Sequence, residues 1–124
     1  MNTTPSTPLA DPAVPLASCP VDTTLRVIGG RWKALILYNL RGGPRRFNEL
    51  RRLIPAVTQR MLTQHLRELE ADGILTRHVH AVVPPRVDYA ISAQGRTILP
   101  ILEAMAEWGR ARDLAAGAGA GEAA

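Results

Sequence analysis

The sequence predicts a mainly α-helical fold with one small β-hairpin. Through the middle of the 124-residue chain, apolar residues recur every three or four positions, which is typical of amphipathic helices. Two stretches rich in β-branched residues lie on either side of Pro84-Pro85 and indicate the hairpin. The two ends of the chain lack such periodicity. We therefore expect a disordered N-terminal arm over 1–18, one folded domain over 19–113 and a disordered Ala/Gly tail over 114–124.

Two short helices are predicted at the start of the domain. Asp22 can cap the first helix, and Gly29-Gly30 ends it. The second helix spans about residues 31–40 and has an apolar core face that includes Leu35. The stretch Gly42-Gly43-Pro44 stops it, because glycine and proline together disfavour a further helical turn.

A helix-turn-helix is predicted next. Residues 45–46 form a short link or strand, which leads into a helix through about Ile54 that Pro55 interrupts. Thr58 has the chemistry of an N-cap, since its hydroxyl can accept a hydrogen bond from a free backbone N–H. The helix that starts there continues to Asp72. In helix-turn-helix proteins the second helix enters the major groove of DNA.

A hairpin and a long helix complete the predicted domain. Residues 74–81 and 86–91 have strand-like composition, and the prolines between them cannot continue a ladder. Ser92 then caps the long helix, which Pro100 should bend. A helix-turn-helix followed by a hairpin makes a winged helix-turn-helix, whose wing can reach the DNA backbone or minor groove.

The helix after Thr58 has two different faces. Its apolar residues fall on one side, and the opposite side holds hydrogen-bonding side chains with no carboxylate before Glu68. Arginine can pair with guanine, and glutamine with adenine. The alternative interpretation is an ordinary solvated helix face. The predicted base contacts are Arg60, Thr63, Gln64 and Arg67, and the predicted phosphate contacts at the helix start are Thr58 and Gln59.

The positive charge of the chain is concentrated in one window. Residues 41–60 hold six arginines and one glutamate, whereas the whole chain has a net charge of +4, so the remainder is close to neutral. Such clustering favours a polyanionic partner, here double-stranded DNA. One or two of these arginines could instead pair with Glu49, and a structural pairing with Asp88 is the alternative for Arg86. The further predicted DNA contacts are Arg45, Arg46, Asn48, Arg51, Arg52 and, in the wing, Arg86.

Several classes of function are not expected. No stretch approaches a membrane span, and the N-terminus lacks the features of a signal peptide, so a cytoplasmic location is expected. The sequence contains no catalytic motif and indicates no cofactor, so we do not expect an enzyme. His78 and His80 share a predicted strand face, but an isolated H-x-H pair is a weak ligand signal and no metal site is predicted. Cys19 is the one cysteine, which leaves only a disulfide between chains.

Five motifs occur in order along the chain, and each would be a weak signal alone. They are Cys19-Pro20-Val21 with Val27-Ile28-Gly29-Gly30-Arg31-Trp32, then Gly43–Arg51, Met61–Gly73 and Val83–Tyr89, with Gly95 and Trp108 beyond them. Together they resemble the HxlR-type winged helix-turn-helix transcriptional regulators over about Cys19 to Arg112.

This resemblance implies a homodimer that binds a partly palindromic operator, and we expect a repressor. The first and last helices would form the dimer contact, although the apolar stripe of the last helix could instead be intramolecular core. Cys19 matches the position at which some relatives sense oxidants or electrophiles. An inert thiol, a non-covalent small-molecule effector and a winged helix used only for protein–protein contact remain alternatives. The predicted dimer residues are Val21, Leu25, Ile98, Leu102, Met105 and Trp108.

Overall fold

The element order confirms the predicted winged helix-turn-helix. The computed structural model describes residues 13–123, with side chains for all of them except residue 16 and residues 118–123. The chain divides at Gly30 into two units, which are described separately. The elements are α1 (Pro20–Ile28) in the first unit, and α2 (Trp32–Leu40), β1 (Arg45–Arg46), α3 (Phe47–Leu53), α4 (Gln59–Ala71), β2 (Leu75–His80), β3 (Arg86–Ile91) and α5 (Leu99–Ala123) in the second.

The first unit corrects part of the predicted arm. Most of that arm, residues 1–12, lies outside the described residues, but Leu16–Ser18 forms a 3₁₀ turn. The Ser18 backbone N–H donates to the Pro15 carbonyl at 3.0 Å, and proline restricts its own φ, so a turn forms at low entropic cost. Helix α1 begins one turn earlier than predicted. Cys19 is its N-cap residue, and Asp22 lies in its first turn.

The core of the second unit is built by α2, α3 and α4 with the sheet. Leu35, predicted on the core face of α2, is more than one-third exposed, whereas Leu37 is buried beside Ile36. Leu50 of α3 is likewise buried, and three leucines of α4 follow at helical spacing. The largest fully buried side chains are Ile36, Leu37, Leu40, Leu50, Val57, Leu62, Leu66 and Leu69.

The hairpin forms as predicted and gains a third strand. The sheet order is β1-β3-β2 and all pairs are antiparallel, with Arg45 opposite Tyr89 and Arg77 opposite Tyr89 on its other side. Of the two predicted alternatives for residues 45–46, a short link or a strand, the structure has the strand, β1. This pairing places the start of α3 beside the wing.

The start of the last helix differs from the prediction. Ser92 does not cap α5; its hydroxyl donates to the Gly73 carbonyl at 2.6 Å and accepts from the Gly95 N–H at 2.9 Å. A 3₁₀ turn over Gly95–Ile98 follows, and α5 begins at Leu99. Pro100 therefore lies in the first turn of α5 rather than in a helix interior, and its missing N–H removes no bond of a continuous helix.

Helix α5 extends into the stretch over 114–124 for which a disordered tail is predicted. The helix continues through this stretch to Ala123. The alanines here favour helix and extending an existing helix avoids the cost of nucleation, which acts against a cost of about 1 kcal/mol for each of Gly117, Gly119 and Gly121. The tail was predicted from its lack of apolar periodicity, which does not measure this propensity.

Candidate nucleic-acid interface

The local structure of α4 confirms its predicted start. The Thr58 hydroxyl accepts a hydrogen bond from the Met61 backbone N–H at 3.1 Å. Val57 and Leu62 are both buried, as expected for an apolar pair that brackets an N-cap. Because Leu66 and Leu69 continue this buried stripe, packing against the core fixes the rotation of α4 about its own axis.

That rotation leaves one polar face of α4 open to solvent. Its side chains line a single depression on the surface, formed by Gln59, Arg60, Thr63, Gln64 and Arg67. The Thr63 hydroxyl donates to the Gln59 carbonyl at 2.9 Å, which holds this side chain close to the helix. Arg60 and Arg67 are exposed. The structure thus brings together all four predicted base contacts on one face.

Glu68 is the first carboxylate beyond this face, and its charge is compensated. Lys33 of α2 lies 2.9 Å from Glu68 Oε1, and only 13% of the lysine side chain is exposed. The Gln64 amide donates to Glu68 Oε2 at 3.3 Å. The hydrogen bond from Lys33, followed by that from Gln64, holds the pKa of Glu68 below its ordinary value of 4.5. Glu68 therefore stays ionised and paired at neutral pH.

The arginines before α4 divide by their contacts. Arg45 is half-buried, and its Nε donates to the Asn39 carbonyl at 2.7 Å, so it supports the C-terminal end of α2. The Arg46 backbone N–H donates to the Glu49 carboxylate at 2.8 Å, a contact that caps α3 without using the guanidinium. The side chains left exposed are Arg46, Asn48, Arg51 and Arg52.

In the wing, Arg86 lies beside Asp88, the structural pairing that was the alternative to a DNA contact. Its Nε lies 3.7 Å from Asp88 Oδ1, and its Nη2 lies 3.3 Å from His80 Nε2. His80 Nε2 is in turn 2.7 Å from Asp88 Oδ2. The hydrogen bond from His80 and the nearby charge of Arg86 keep the pKa of Asp88 below its ordinary value of 3.8. Arg86 is therefore directed toward the hairpin's own acid, although its Nε and Asp88 Oδ1 form no hydrogen bond and 38% of its side chain stays exposed.

Sequence reasoning missed Arg77, which lies on the other face of the wing. It is exposed on β2 and lines the groove between the sheet and α4, whose polar lining is otherwise Gln59, Thr63, Arg67, Glu70 and Tyr89. Strand alternation alone places Arg77 with the apolar Leu75 and gives no hint of this position. Only the packing of α4 beside the sheet brings Arg77 to the proposed DNA-facing groove.

The predicted dimer residues differ in exposure. Leu102 is 3% exposed and belongs to the core of its own chain, so its predicted interface role is wrong. Helix α5 packs on α2, and the neighbouring Glu103 forms an ion pair with Arg41 at 3.7 Å. By contrast, Trp108 is 68% exposed. Val21, Leu25 and Met105 are likewise exposed, and Ile98 is half-buried.

Cys19 is half-buried, and its thiol is free in this structure. Among the described residues, no three metal-ligating side chains come together. Over the same part of the chain, no helix combines the length and apolar character that crossing a membrane requires.

Comparisons with known proteins match most of this structure. Residues 27–114 match the model of a family described as HxlR-like helix-turn-helix. The chain is 56% identical over 91 residues to the HTH-type transcriptional regulator YybR of Bacillus subtilis (strain 168). The matched stretch covers 73% of this chain and 73% of YybR. The chain is 54% identical to YdeP of the same organism over 73% of this chain and 71% of YdeP. The solved structure of the redox regulator HypR in its oxidized form is 55% identical, with a TM-score of 0.74 over 75% of this chain and 96% of that chain.

Proposed function

Because the chain belongs to the HxlR-like helix-turn-helix family of transcriptional regulators, as its motifs predicted, we propose that it represses transcription by binding a palindromic operator as a homodimer. Its relatives are regulators and not enzymes. The observation that carries the proposal is the exposed face of α4, where two arginines, a threonine and two glutamines surround one depression without a carboxylate. Such a face suits the edges of bases in the major groove.

The proposed DNA contacts fall into two groups. Arg60, Thr63, Gln64 and Arg67 of α4 contact bases, because they share the exposed face of the helix. Thr58 and Gln59 contact phosphate at the positive end of α4, and the exposed Arg46, Asn48, Arg51 and Arg52 add phosphate contacts beside it. Arg45 and Arg86 act indirectly, since their guanidinium groups are engaged within the protein.

The proposed dimer uses the apolar surface that α5 leaves uncovered. Ile101, Met105 and Trp108 are each more than two-fifths exposed, and they recur at three- or four-residue spacing. Val21 and Leu25 of α1 are exposed in the same manner and join the proposed contact. Large exposed apolar side chains in such a row are typical of a protein interface. A second copy of the chain would also match the two-fold symmetry of a palindromic operator.

The test is binding to DNA from upstream of the protein's own gene, measured by mobility shift at two salt concentrations. We expect a shifted complex whose affinity falls steeply with salt. Gln64→Ala should change the preferred sequence more than the total affinity, because Gln64 lies in the middle of the exposed face of α4. Glu70→Ala is the matched control on the same helix: because Glu70 lines the neighbouring groove, its loss should raise affinity for all DNA alike and leave the preferred sequence unchanged. If Gln64→Ala lost the same affinity for operator as for random DNA, the result would favour a protein–protein module instead. So would a fragment that the wild-type protein fails to shift under both reducing and oxidising conditions.

A second candidate function is release from DNA by oxidants or electrophiles at Cys19. Two observations favour it: the thiol is half-buried rather than enclosed, and the similar HypR structure is that of a redox regulator. Two Cys19 thiols from two chains would lose two protons and two electrons to an oxidant such as diamide and form one disulfide. The Cys19 thiolate would instead add to a ring carbon of a quinone, and protonation with tautomerisation of the ring gives the hydroquinone thioether.

Cys19→Ser tests this candidate. The wild-type protein should leave its operator on treatment with diamide or a quinone, and Cys19→Ser should stay bound. Non-reducing electrophoresis and intact mass would identify the disulfide or the adduct. Release of both proteins alike would assign the response to another group, and no release of either would favour a non-covalent small ligand as the effector.

A further inference from the structure

A largely covered lysine of α2 connects to a proposed base-contacting residue of α4. Lys33 belongs to α2, and its side chain is almost wholly enclosed, yet its ammonium lies 2.9 Å from Glu68 Oε1. The second oxygen of the same carboxylate accepts the Gln64 amide at 3.3 Å. Glu68 is 43% exposed, so it joins the enclosed lysine to the exposed glutamine.

We propose that Glu68, held by Lys33, is a positioning residue that selects which end of the Gln64 amide faces DNA. The proposal rests on the proposed function, since it assumes that Gln64 contacts a base. It concerns the specificity of that contact rather than its existence.

The physical reason is the polarity of the amide. A glutamine amide has a donating nitrogen and an accepting oxygen at similar positions, and it can rotate to exchange them. A carboxylate accepts hydrogen bonds only. If the amide rotated, Gln64 Oε1 would approach Glu68 Oε2, and two acceptors would meet. The negative charge of Glu68 therefore favours the orientation in which Gln64 directs Nε2 toward α4's C-terminal end and Oε1 away from it.

That orientation predicts a base preference. Gln64 Oε1 is left to accept from an exocyclic amine, which adenine presents as N6 and cytosine as N4 in the major groove. Guanine O6 and thymine O4 are acceptors and would face another acceptor. We therefore expect the base opposite Gln64 to be adenine or cytosine, with guanine and thymine rejected.

Lys33 has a second effect, on affinity. A lone carboxylate beside the groove-facing side chains would repel DNA phosphates, and the ammonium compensates that charge at 2.9 Å. His65 Nδ1 lies farther from the same oxygen, at 3.6 Å. Removing the lysine should thus weaken binding to all sequences, whereas removing the carboxylate should relax the preference at one position.

The experiment is selection from an operator library randomised at every position, with affinities then measured for the winning and single-base variants. Glu68→Met should lower discrimination against guanine and thymine at one position per half-site by about tenfold. Lys33→Met should lower affinity for all sequences and keep the preference. The double variant Lys33→Met/Glu68→Met replaces the ion pair by two unbranched apolar side chains, so it keeps the test valid if either single variant fails to fold. It should recover affinity and still lack the preference.

Glu70→Met is the matched control, because it removes a carboxylate from the same helix without the contact to Gln64. If Glu70→Met relaxed the same position, or if Glu68→Met and the double variant kept the wild-type preference, the positioning role would be overturned while sequence-specific binding stood. If the wild-type protein itself enriched no sequence, the proposed function would fail first.

Discussion

Arg77 and Arg86 lie on the same hairpin and carry the same charge, yet we expect opposite results when each is replaced by glutamine. Arg77 is exposed and lines the groove beside α4. Arg86 is directed at Asp88 and His80. Arg77→Gln should therefore weaken DNA binding, and Arg86→Gln should affect the wing itself.

The size of the Arg77 effect follows from counterion release. Each phosphate contact contributes about 0.9 to the slope of log affinity against log salt concentration. A symmetric dimer loses two such contacts, so the slope should become shallower by about 1.8. If the electrostatic contribution to the binding affinity vanishes near 1 M salt, these two phosphate contacts raise the affinity by about 30-fold near 0.15 M salt. The loss should be similar on operator and on random DNA, because phosphate contacts are independent of sequence.

Fluorescence anisotropy with a labelled operator at several salt concentrations between about 50 and 200 mM measures both quantities. Arg86→Gln is the matched control, with the same charge change nine residues along the hairpin. Its salt slope should equal that of the wild type. A slope that changed for Arg86→Gln and stayed constant for Arg77→Gln would refute the assignment of the two wing arginines.

Three further predictions concern the fold and the dimer. Leu102→Ala should lower the free energy of unfolding by about 2–5 kcal/mol in denaturant titrations. Trp108→Ala should preserve the fold and shift sedimentation toward the monomer. A wild-type protein that is already monomeric would contradict the prediction for Trp108. Gly95→Ala should lower Tm strongly, because the added Cβ would overlap the Ile74 carbonyl oxygen. Gly109→Ala, whose added Cβ meets open space, should keep or raise Tm. Equal changes of Tm in the two variants would count against this steric reason. Folding lowers the pKa of Asp88, so the ionised carboxylate stabilises the fold fully above pH 3.8 and less as the pH falls below that value. Asp88→Asn should remove this part of the dependence of the unfolding free energy on acid pH. If the variant kept the wild-type pH profile, Asp88 would not be the source of that dependence.

The parts of the interface that could be predicted from sequence depend on short-range chemistry. The Thr58 cap joins residues three apart, and the apolar pair that brackets it is only five apart. The spacing of buried leucines then determines which face of α4 is exposed. These signals all lie within one segment, and for that reason the face of Arg60 and Gln64 was predictable before any packing was known.

The misassigned residues depend on partners that are distant in sequence or on competing preferences. Ser92 has the chemistry of an N-cap, but the Gly73 carbonyl, nineteen residues away, accepts its hydroxyl, and α5 starts later. Leu102 shares the stripe of Trp108 in sequence, but only Leu102 is buried within the chain. Periodicity identifies an apolar stripe and cannot tell which part of it the same chain covers.

The arginines also differ in whether their role could be predicted from the sequence. Counting arginines indicated a polyanionic partner, but the count treats every guanidinium alike. In the structure Arg45 is bonded to the end of α2 and Arg86 faces an acid, whereas Arg77, outside the predicted set, is exposed beside α4. A guanidinium that is already paired offers less to a phosphate than an exposed one, because it must first lose its present partner. The strength of DNA binding should therefore follow the exposed cations around α4 rather than the net charge of the chain.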